Sequence, residues 1–317
     1  MDRATRIYVA GHRGLIGSAF VRRLQADGYR NVIVRNRADL DLTNESQVLA
    51  FFKAVQPQVV VMAAGKVGGI LENQTYPADF ITSNLRIQVN LMTAAHGVRA
   101  NRVLFFASSC MYPRDCPQPM AERHLLTGRP EETSLPYAIS KLAGMQMCLA
   151  FNQQFGGTSF VPVIPNNAFG PNDNFDPKSS HVLSALVRKF HDAKEAGADK
   201  VVLWGTGTPR REFIHADDIA DAGLLLLNAD LSATELPINI GSGGDYSISE
   251  LATIVRDVVG FKGRIEWDPT KPDGAPRKLL DSARLRSFGW KPKISFSEGL
   301  RNTYEWYVRN TENVSTN

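Results

Sequence analysis

The chain has 317 residues, 43% of them hydrophobic and 21% charged, which is the composition of a globular protein with room for one large or two modest domains. Its 36 Lys and Arg outnumber 32 Asp and Glu by a formal charge of +4 and are dispersed along the chain, a pattern that speaks against nucleic-acid binding and suits a diphosphate-bearing substrate. Cys110, Cys116 and Cys148 form neither a disulfide framework nor a metal-ligand spacing, a strand begins too near Met1 to leave room for a signal peptide, and no apolar run approaches the ~20 residues of a membrane span, so a soluble, metal-free protein of the reducing cytoplasm is expected.

In chain order, Arg6–Ala10 (RIYVA) reads as a strand, followed by a glycine-rich turn and a helix to about Ala26. Asn31–Arg35 (NVIVR) and Gln58–Met62 (QVVVM) read as a second and third strand, Pro77 to His96 as a long helix, and Arg102–Phe106 (RVLFF) as a fourth strand. Strands alternating with helices predict βαβ units and a parallel sheet, and the continuous Val/Ile/Phe runs predict strands covered on both faces. The expected fold is therefore α/β, a Rossmann-type doubly wound parallel sheet over residues 1–165. A smaller α/β substrate lobe is expected over 166–317, interleaved with the first because a stretch near 205–240 returns to the sheet. In that second half, Asn166–Asn174 is a polar, turn-rich stretch. A helix starts near Ser180, a strand covers Lys200–Trp204, a helix covers about Asp217–Leu227, and Thr311–Asn317 reads as a frayed polar tail.

Gly11-His12-Arg13-Gly14-Leu15-Ile16-Gly17 lies between the first strand and the first helix. Glycines there allow a tight turn and close approach of a pyrophosphate to the helix N-terminus. The spacing is GxxGxxG rather than GxGxxG, but its place in a βαβ unit at the N-terminus predicts a dinucleotide site. An acidic residue after the second strand would select NAD. This chain carries Arg35-Asn36-Arg37 there, with Arg13 in the loop, and guanidinium groups suit a 2′-phosphate, which predicts NADPH/NADP+.

Tyr137 and Lys141 are four residues apart and share a helix face. A neighbouring ammonium is expected to lower the phenol's pKa from ~10 toward neutrality, so that Tyr137 can exchange a proton with a substrate oxygen while hydride moves. Ser108, at the end of the fourth strand, can hydrogen-bond the same oxygen. Cys110, two residues on, is not needed for hydride transfer, but a thiol beside a ketone can remove a proton from the adjacent carbon. Taken alone, such a cysteine is more often a small buried hydrophobe. This combination of motifs resembles the extended short-chain dehydrogenase/reductases along most of the chain.

Several segments resemble the GDP-L-fucose synthase family more narrowly: GHRGLIG (Gly11–Gly17), KVGGI (Lys66–Ile70), TYPADF (Thr75–Phe80), SSCMYP (Ser108–Pro113), GPNDNF (Gly170–Phe175), WGTGTPRREF (Trp204–Phe213) and KPDGAPRKLLD (Lys271–Asp281). The resemblance runs from about Arg6 to Tyr307. It implies an NADPH-dependent enzyme that epimerises a GDP-linked 4-keto-6-deoxy sugar at C3 and C5 and then reduces C4. Cys110 and His181 match the family's epimerisation pair, and a thiol (pKa ~8.5) and an imidazole (pKa ~6.5) bracket neutral pH as a base and an acid must. The resemblance places cofactor contacts at Gly11, His12, Arg13, Gly14, Leu15, Ile16, Gly17, Arg35, Arg37, Asp41, Leu42, Ala63, Ala64, Ser108, Lys141, Pro165, Asn167, Ala168 and His181. It places substrate contacts at Ser109, Arg188, Lys189, Trp204, Arg211 and Asp273. His181 and Arg188 are expected to line a cleft together with Ser184 and Ala185. His12, His191 and His215 lack comparable catalytic company and read as structural or surface residues.

Two positions depart from the commonest family pattern. Lys189 stands where Arg is frequent, and Asn166-Asn167 replaces Thr-Asn or Cys-Asn. A homodimer is expected from the superfamily, through the Tyr–Lys helix and the long helix before the fourth strand. A related GDP-keto-heptose or colitose-type epimerase/reductase is the nearest alternative. A catalytically silent dinucleotide-binding sensor or scaffold is a more distant one, disfavoured by the intact catalytic set.

Overall fold

Ile7–Ala10 forms strand β1 with every residue buried, and alternate side chains enter two different cores. The computed structural model describes residues 1–315 except 158, 178, 233 and 272, with side chains through Asn310. After β1 come α1 (Leu15–Ala26), β2 (Val32–Ile33), α2 (Glu45–Val55), β3 (Val59–Met62), α3 (Ile70–Thr75), α4 (Pro77–Gly97) and β4 (Arg102–Phe106). Asn44 caps α2 by accepting from the Gln47 amide at 3.1 Å, and Pro77 starts α4 at a position where no amide is needed. The chain continues through α5 (Leu135–Phe155), β5 (Phe160–Pro165), β6 (Asn167–Phe169), α6 (Val182–Glu195), β7 (Lys200–Trp204), β8 (Arg210–His215), α7 (Ala216–Asn228) and β9 (Ile238–Ile240). It ends with β10 (Asp245–Ser247), α8 (Ile248–Val259), β11 (Arg264–Asp268), β12 (Arg277–Lys278), α9 (Ala283–Ser287) and α10 (Phe296–Ser315).

Six strands form a parallel sheet in the order β2-β1-β3-β4-β5-β9. Register is set by Ile7 opposite both Val32 and Val59, Val59 opposite Arg102, Val103 opposite Phe160 and Val163 opposite Ile238. One face packs Ile7, Val9, Val61, Leu104 and Val163 against Phe20 of α1 and Ile219 and Leu226 of α7. The other packs Tyr8, Val60, Val103 and Phe105 against Phe52, Leu91 and Met145 of α2, α4 and α5. This is the Rossmann-type doubly wound arrangement. Strand order reverses between β1 and β3, and ligands of such sheets bind at the carboxyl ends of the strands flanking that reversal.

A second sheet, β10-β8-β12 with β6 also on β8, and the β7–β11 pair belong to the other lobe. Its core packs Leu186, Val187 and Phe190 of α6 against Leu251 and Val255 of α8 and Leu300 of α10. Three expectations change. The second strand is only Val32–Ile33, because it is an edge strand whose neighbour β1 gives way to the glycine loop, and Arg35 turns back to donate to the Val34 carbonyl at 2.8 Å. The turn-rich stretch after Pro165 contains β6, which β8 captures through Asn167 opposite Phe213. The C-terminal helix runs to Ser315 where a polar tail is expected from Thr311, since no Gly or Pro follows Gly299 to stop a helix already anchored by Leu300 and Tyr307, and Thr316 and Asn317 lie outside the described residues. Among the described residues no helix is long and apolar enough to cross a membrane.

Candidate active site

The loop between β1 and α1 is built for close approach. Gly11 has φ +81°, and a Cβ there would lie 2.7 Å from the Ala64 amide nitrogen. A Cβ on Gly17 would lie 2.1 Å from the Gly11 carbonyl oxygen, so the helix can enter only without a side chain. Gly14 caps α1 with no side-chain bond, and a Cβ there would meet only the Gly11 oxygen at 3.5 Å, leaving the first amides of α1 open to a cleft. That cleft is lined by Gly11–Gly14, Arg35, Asn36, Arg37, Asp41, Leu42, Ala63 and Ala64. Arg13, Arg35 and Arg37 thus gather around one space, and Arg35 lies over the Phe51 ring at 5.4 Å. His12 also lines it. Burial and the Arg13 charge push its pKa down, which keeps the ring neutral at pH 7. Asp41 is held below the usual carboxylate range by two hydrogen bonds from Thr43.

Gly14, Ala63 and Gly65 are shared with a second cavity of about 380 Å³. Leu15, Ile16, Ser108, Ser109, Cys110, Tyr137, Lys141, Pro165, Asn166, Asn167, Ala168 and His181 line it. β4 delivers Ser108 in extended conformation, and its Oγ accepts from the Cys110 amide at 3.2 Å, starting a tight turn over Ser109–Met111. From α5, the Tyr137 hydroxyl hydrogen-bonds Ser108. Lys141 Nζ donates to the Phe106 carbonyl at 2.8 Å and lies 5.8 Å from the Tyr137 ring centroid.

The electrostatics correct one expectation. Tyr137 is raised above its ordinary pKa, first by burial and then by the Cys110 charge, against the opposing Ser108 hydrogen bond. Lys141 is not among the groups that shift it: its hydrogen bond goes to a backbone carbonyl, and burial brings the lysine's own pKa down to about 8. The phenol is therefore a protonated donor at neutral pH.

His181 enters the same cavity from the other lobe, as the exposed residue capping α6. Beside it is Asp173, whose Oδ1 accepts from the Asn174 amide at 2.8 Å and whose Oδ2 accepts from Ser184 Oγ. Burial raises the Asp173 pKa, while those bonds and the His181 charge pull it down. Arg188 is not among the residues lining this cavity. Its guanidinium bonds the Phe175 carbonyl at 3.3 Å and Asp192 at 3.4 Å.

The remaining predicted contacts cluster at the end of β7, apart from the residues around Tyr137. Trp204 is 70% exposed, with Lys271 Nζ 5.7 Å over its ring. Lys189 Nζ donates to the Val202 carbonyl at 2.6 Å. Asp273 accepts from the Thr206 amide at 3.0 Å and from its hydroxyl at 2.7 Å, and its charge partly offsets the burial that lowers the Arg211 pKa.

The chain matches the model of the NAD dependent epimerase/dehydratase family over residues 7–241. It is 51% identical over 312 residues to GDP-L-fucose synthase 1 of Arabidopsis thaliana, covering 98% of this chain and 96% of that protein. It is 46% identical to GDP-L-fucose synthase of Escherichia coli K12, covering 97% and 98%. The chain belongs to the GDP-L-fucose synthase family. Among solved structures, a GDP-mannoheptose C4 reductase from Campylobacter jejuni with NADP bound is 37% identical and superimposes with a TM-score of 0.88, covering 97% of this chain and 99% of that one.

Sequence reasoning missed Asp173 as a neighbour of His181, and missed Asn73, which lines the cavity from α3. An acid between two asparagines in Gly170–Phe175 was the available signal for Asp173. Asn73 is pinned by its Nδ2 to the carbonyls of Gly68 and Gly69, at 3.0 Å each, and nothing local announced that.

Proposed function

We propose that this protein is an NADPH-dependent, bifunctional enzyme that converts GDP-4-keto-6-deoxy-D-mannose to GDP-L-fucose by 3,5-epimerisation and 4-reduction. The observation that carries the reading is that Cys110 and His181 share one cavity with Ser108, Tyr137 and Lys141. A reductase alone has no use for a thiol and an imidazole around the carbonyl.

The C4 ketone acidifies the protons on C3 and C5, because loss of either leaves an enolate. Cys110, as thiolate, removes such a proton, and His181 delivers one to the opposite face, inverting the carbon. Ser108 and Tyr137 hydrogen-bond the C4 oxygen and hold the charge that develops there. Tyr137 then gives its proton to that oxygen in the reduction, a role suited to a phenol kept protonated by burial. The side-chain-free cradle at Gly14 and the three arginines around it fit NADPH, with Arg13, Arg35 and Arg37 at the 2′-phosphate. When bound, the reduced nicotinamide supplies the hydride. The rim of Lys189, Trp204, Arg211 and Asp273 takes the GDP portion, where the indole can stack on guanine and the basic groups meet the diphosphate.

The same reading divides the chain into a cofactor domain over 1–165 and a substrate lobe over 166–317, with α7 and β9 of the stretch near 205–240 going back to the first while β8 stays in the lobe. It makes the protein a cytoplasmic homodimer. Exposed Val89 on α4 and exposed Ile139 and Phe155 on α5, two helices packed side by side, support that assembly. NMR analysis of the product from GDP-4-keto-6-deoxy-D-mannose and NADPH is the test. GDP-L-fucose is expected. A sugar reduced at C4 with C3 and C5 unchanged would leave only a reductase, and no turnover would leave only a binder.

A further inference from the structure

Asn166 joins two things a shorter side chain cannot span. Its Oδ1 accepts from Ser109 Oγ at 3.0 Å, and its Nδ2 donates to Glu212 Oε2 at 2.7 Å. All three residues are buried, with Glu212 fully so. Glu212 Oε2 also accepts from the Leu280 amide at 3.0 Å, and Oε1 accepts from the Gly243 amide at 2.7 Å. The carboxylate has no ion-pair partner among the described residues. It serves as a fixed acceptor tying β8, the loop after β9 and the segment after β12 to the end of β5.

Ser109 is the residue between Ser108 and Cys110 and opens the turn that carries the thiol. That turn is held from below by Ser108, whose side chain accepts from the Cys110 amide. From the side the Ser109 hydroxyl ties it to Asn166, while Met111 and Tyr112 at its far end are buried in the core. A buried polar chain in which each donor has its acceptor fixes orientation, and one broken link leaves an unpaired group.

We infer that Asn166 and Glu212 are positioning residues for Cys110, acting through the Ser109 hydroxyl to fix where the thiol meets the substrate carbon. The inference rests on the epimerase reading above. It assigns a purpose to the buried amide at position 166: the substrate lobe sets the aim of the epimerising thiol through a side-chain relay.

The test separates proton exchange from hydride transfer. Deuterium uptake by GDP-4-keto-6-deoxy-D-mannose in D₂O without cofactor reads the first. Single-turnover reduction of NADP+ by GDP-L-fucose reads the second, with no inversion required beforehand. Asn166→Leu and Ser109→Ala should each lower exchange at least about tenfold more than they lower hydride transfer, the scale of one buried hydrogen bond to a charged network. The double variant should be no worse than the poorer single one, because both cut the same chain. If Asn166→Leu fails to fold, Ser109→Ala carries the same exchange-to-hydride comparison alone. Parallel losses in both reactions, no loss in either, or additive effects would overturn the relay. Absence of exchange in the wild-type protein would instead overturn the epimerase reading itself.

Discussion

Lys141 and Tyr137 stand one helical turn apart on α5, but the ammonium gives its hydrogen bond to the Phe106 carbonyl at 2.8 Å and not to the phenol, whose ring centroid is 5.8 Å away. The lysine is thus fastened to the end of β4, the strand that also delivers Ser108. Burial opposes charge on both residues, raising Tyr137 and bringing Lys141 down to about 8.

This makes a prediction about stability and pH. A lysine with a folded pKa near 8 and an unfolded pKa near 10.4 costs stability wherever it is charged in both states, that is, below pH 8. The cost fades as pH rises from 8 toward 10.4, because the folded state then binds fewer protons than the unfolded one. Urea unfolding of wild type and Lys141→Met should show wild type gaining on the variant across that window, by an amount of the order of 3 kcal/mol at most. A difference independent of pH would mean that the buried amine keeps its ordinary pKa.

A second prediction concerns reduction. Tyr137→Phe retains the ring and its edge-on contact with Phe80 at 6.3 Å but removes the proton donor. NADPH oxidation on the keto sugar should fall by ~10² or more, the scale of general acid catalysis, with substrate binding retained. Stopped-flow absorbance at the nicotinamide band measures the first, and calorimetry the second. Near-normal oxidation would assign protonation of the C4 oxygen to another group.

What the sequence disclosed and what it hid divide along range of interaction. β1, β3 and β4 are legible because runs such as Gln58–Met62 must be covered on both faces, and the glycine loop is legible because only glycine satisfies the contacts at Gly11 and Gly17. The residues meeting in the cavity were legible as motifs. Their partners were not: Lys141 finds a carbonyl 35 residues away and Asn166 a carboxylate 46 residues away, choices made by tertiary packing. The same holds for β6, a strand only because β8 passes beside it, and for Arg188, expected on one face with His181 but bonded to the Phe175 carbonyl 13 residues away.

Cofactor choice follows from the three arginines around the first cleft. NADPH should be preferred over NADH by at least about tenfold in kcat/KM, since even one charged hydrogen bond to a phosphate is worth ~1.4 kcal/mol or more. Arg35→Ala with Arg37→Ala should erase most of that preference by raising the KM for NADPH while leaving NADH nearly unaffected. Steady-state kinetics with both cofactors decides it. Equal kcat/KM in the wild-type protein would remove the 2′-phosphate assignment.

Epimerisation gives the most direct test of whether the cavity holds two sets of tools. Cys110→Ser substitutes a hydroxyl that is far harder to deprotonate at neutral pH, so inversion should nearly stop. Ser108, Tyr137 and Lys141 remain, and reduction of the uninverted keto sugar should then appear. His181→Asn removes the proton donor on the opposite face, so inversion should slow while some exchange of the carbon-bound protons continues through Cys110. Incubation in D₂O without cofactor isolates this half of the chemistry. Deuterium should enter C3 and C5 with wild type, more slowly with Tyr137→Phe because one of the two donors to the C4 oxygen is lost, and hardly at all with Cys110→Ser. Wild-type uptake in Cys110→Ser would remove the thiol from the mechanism and leave it as a half-buried packing residue at the end of β4.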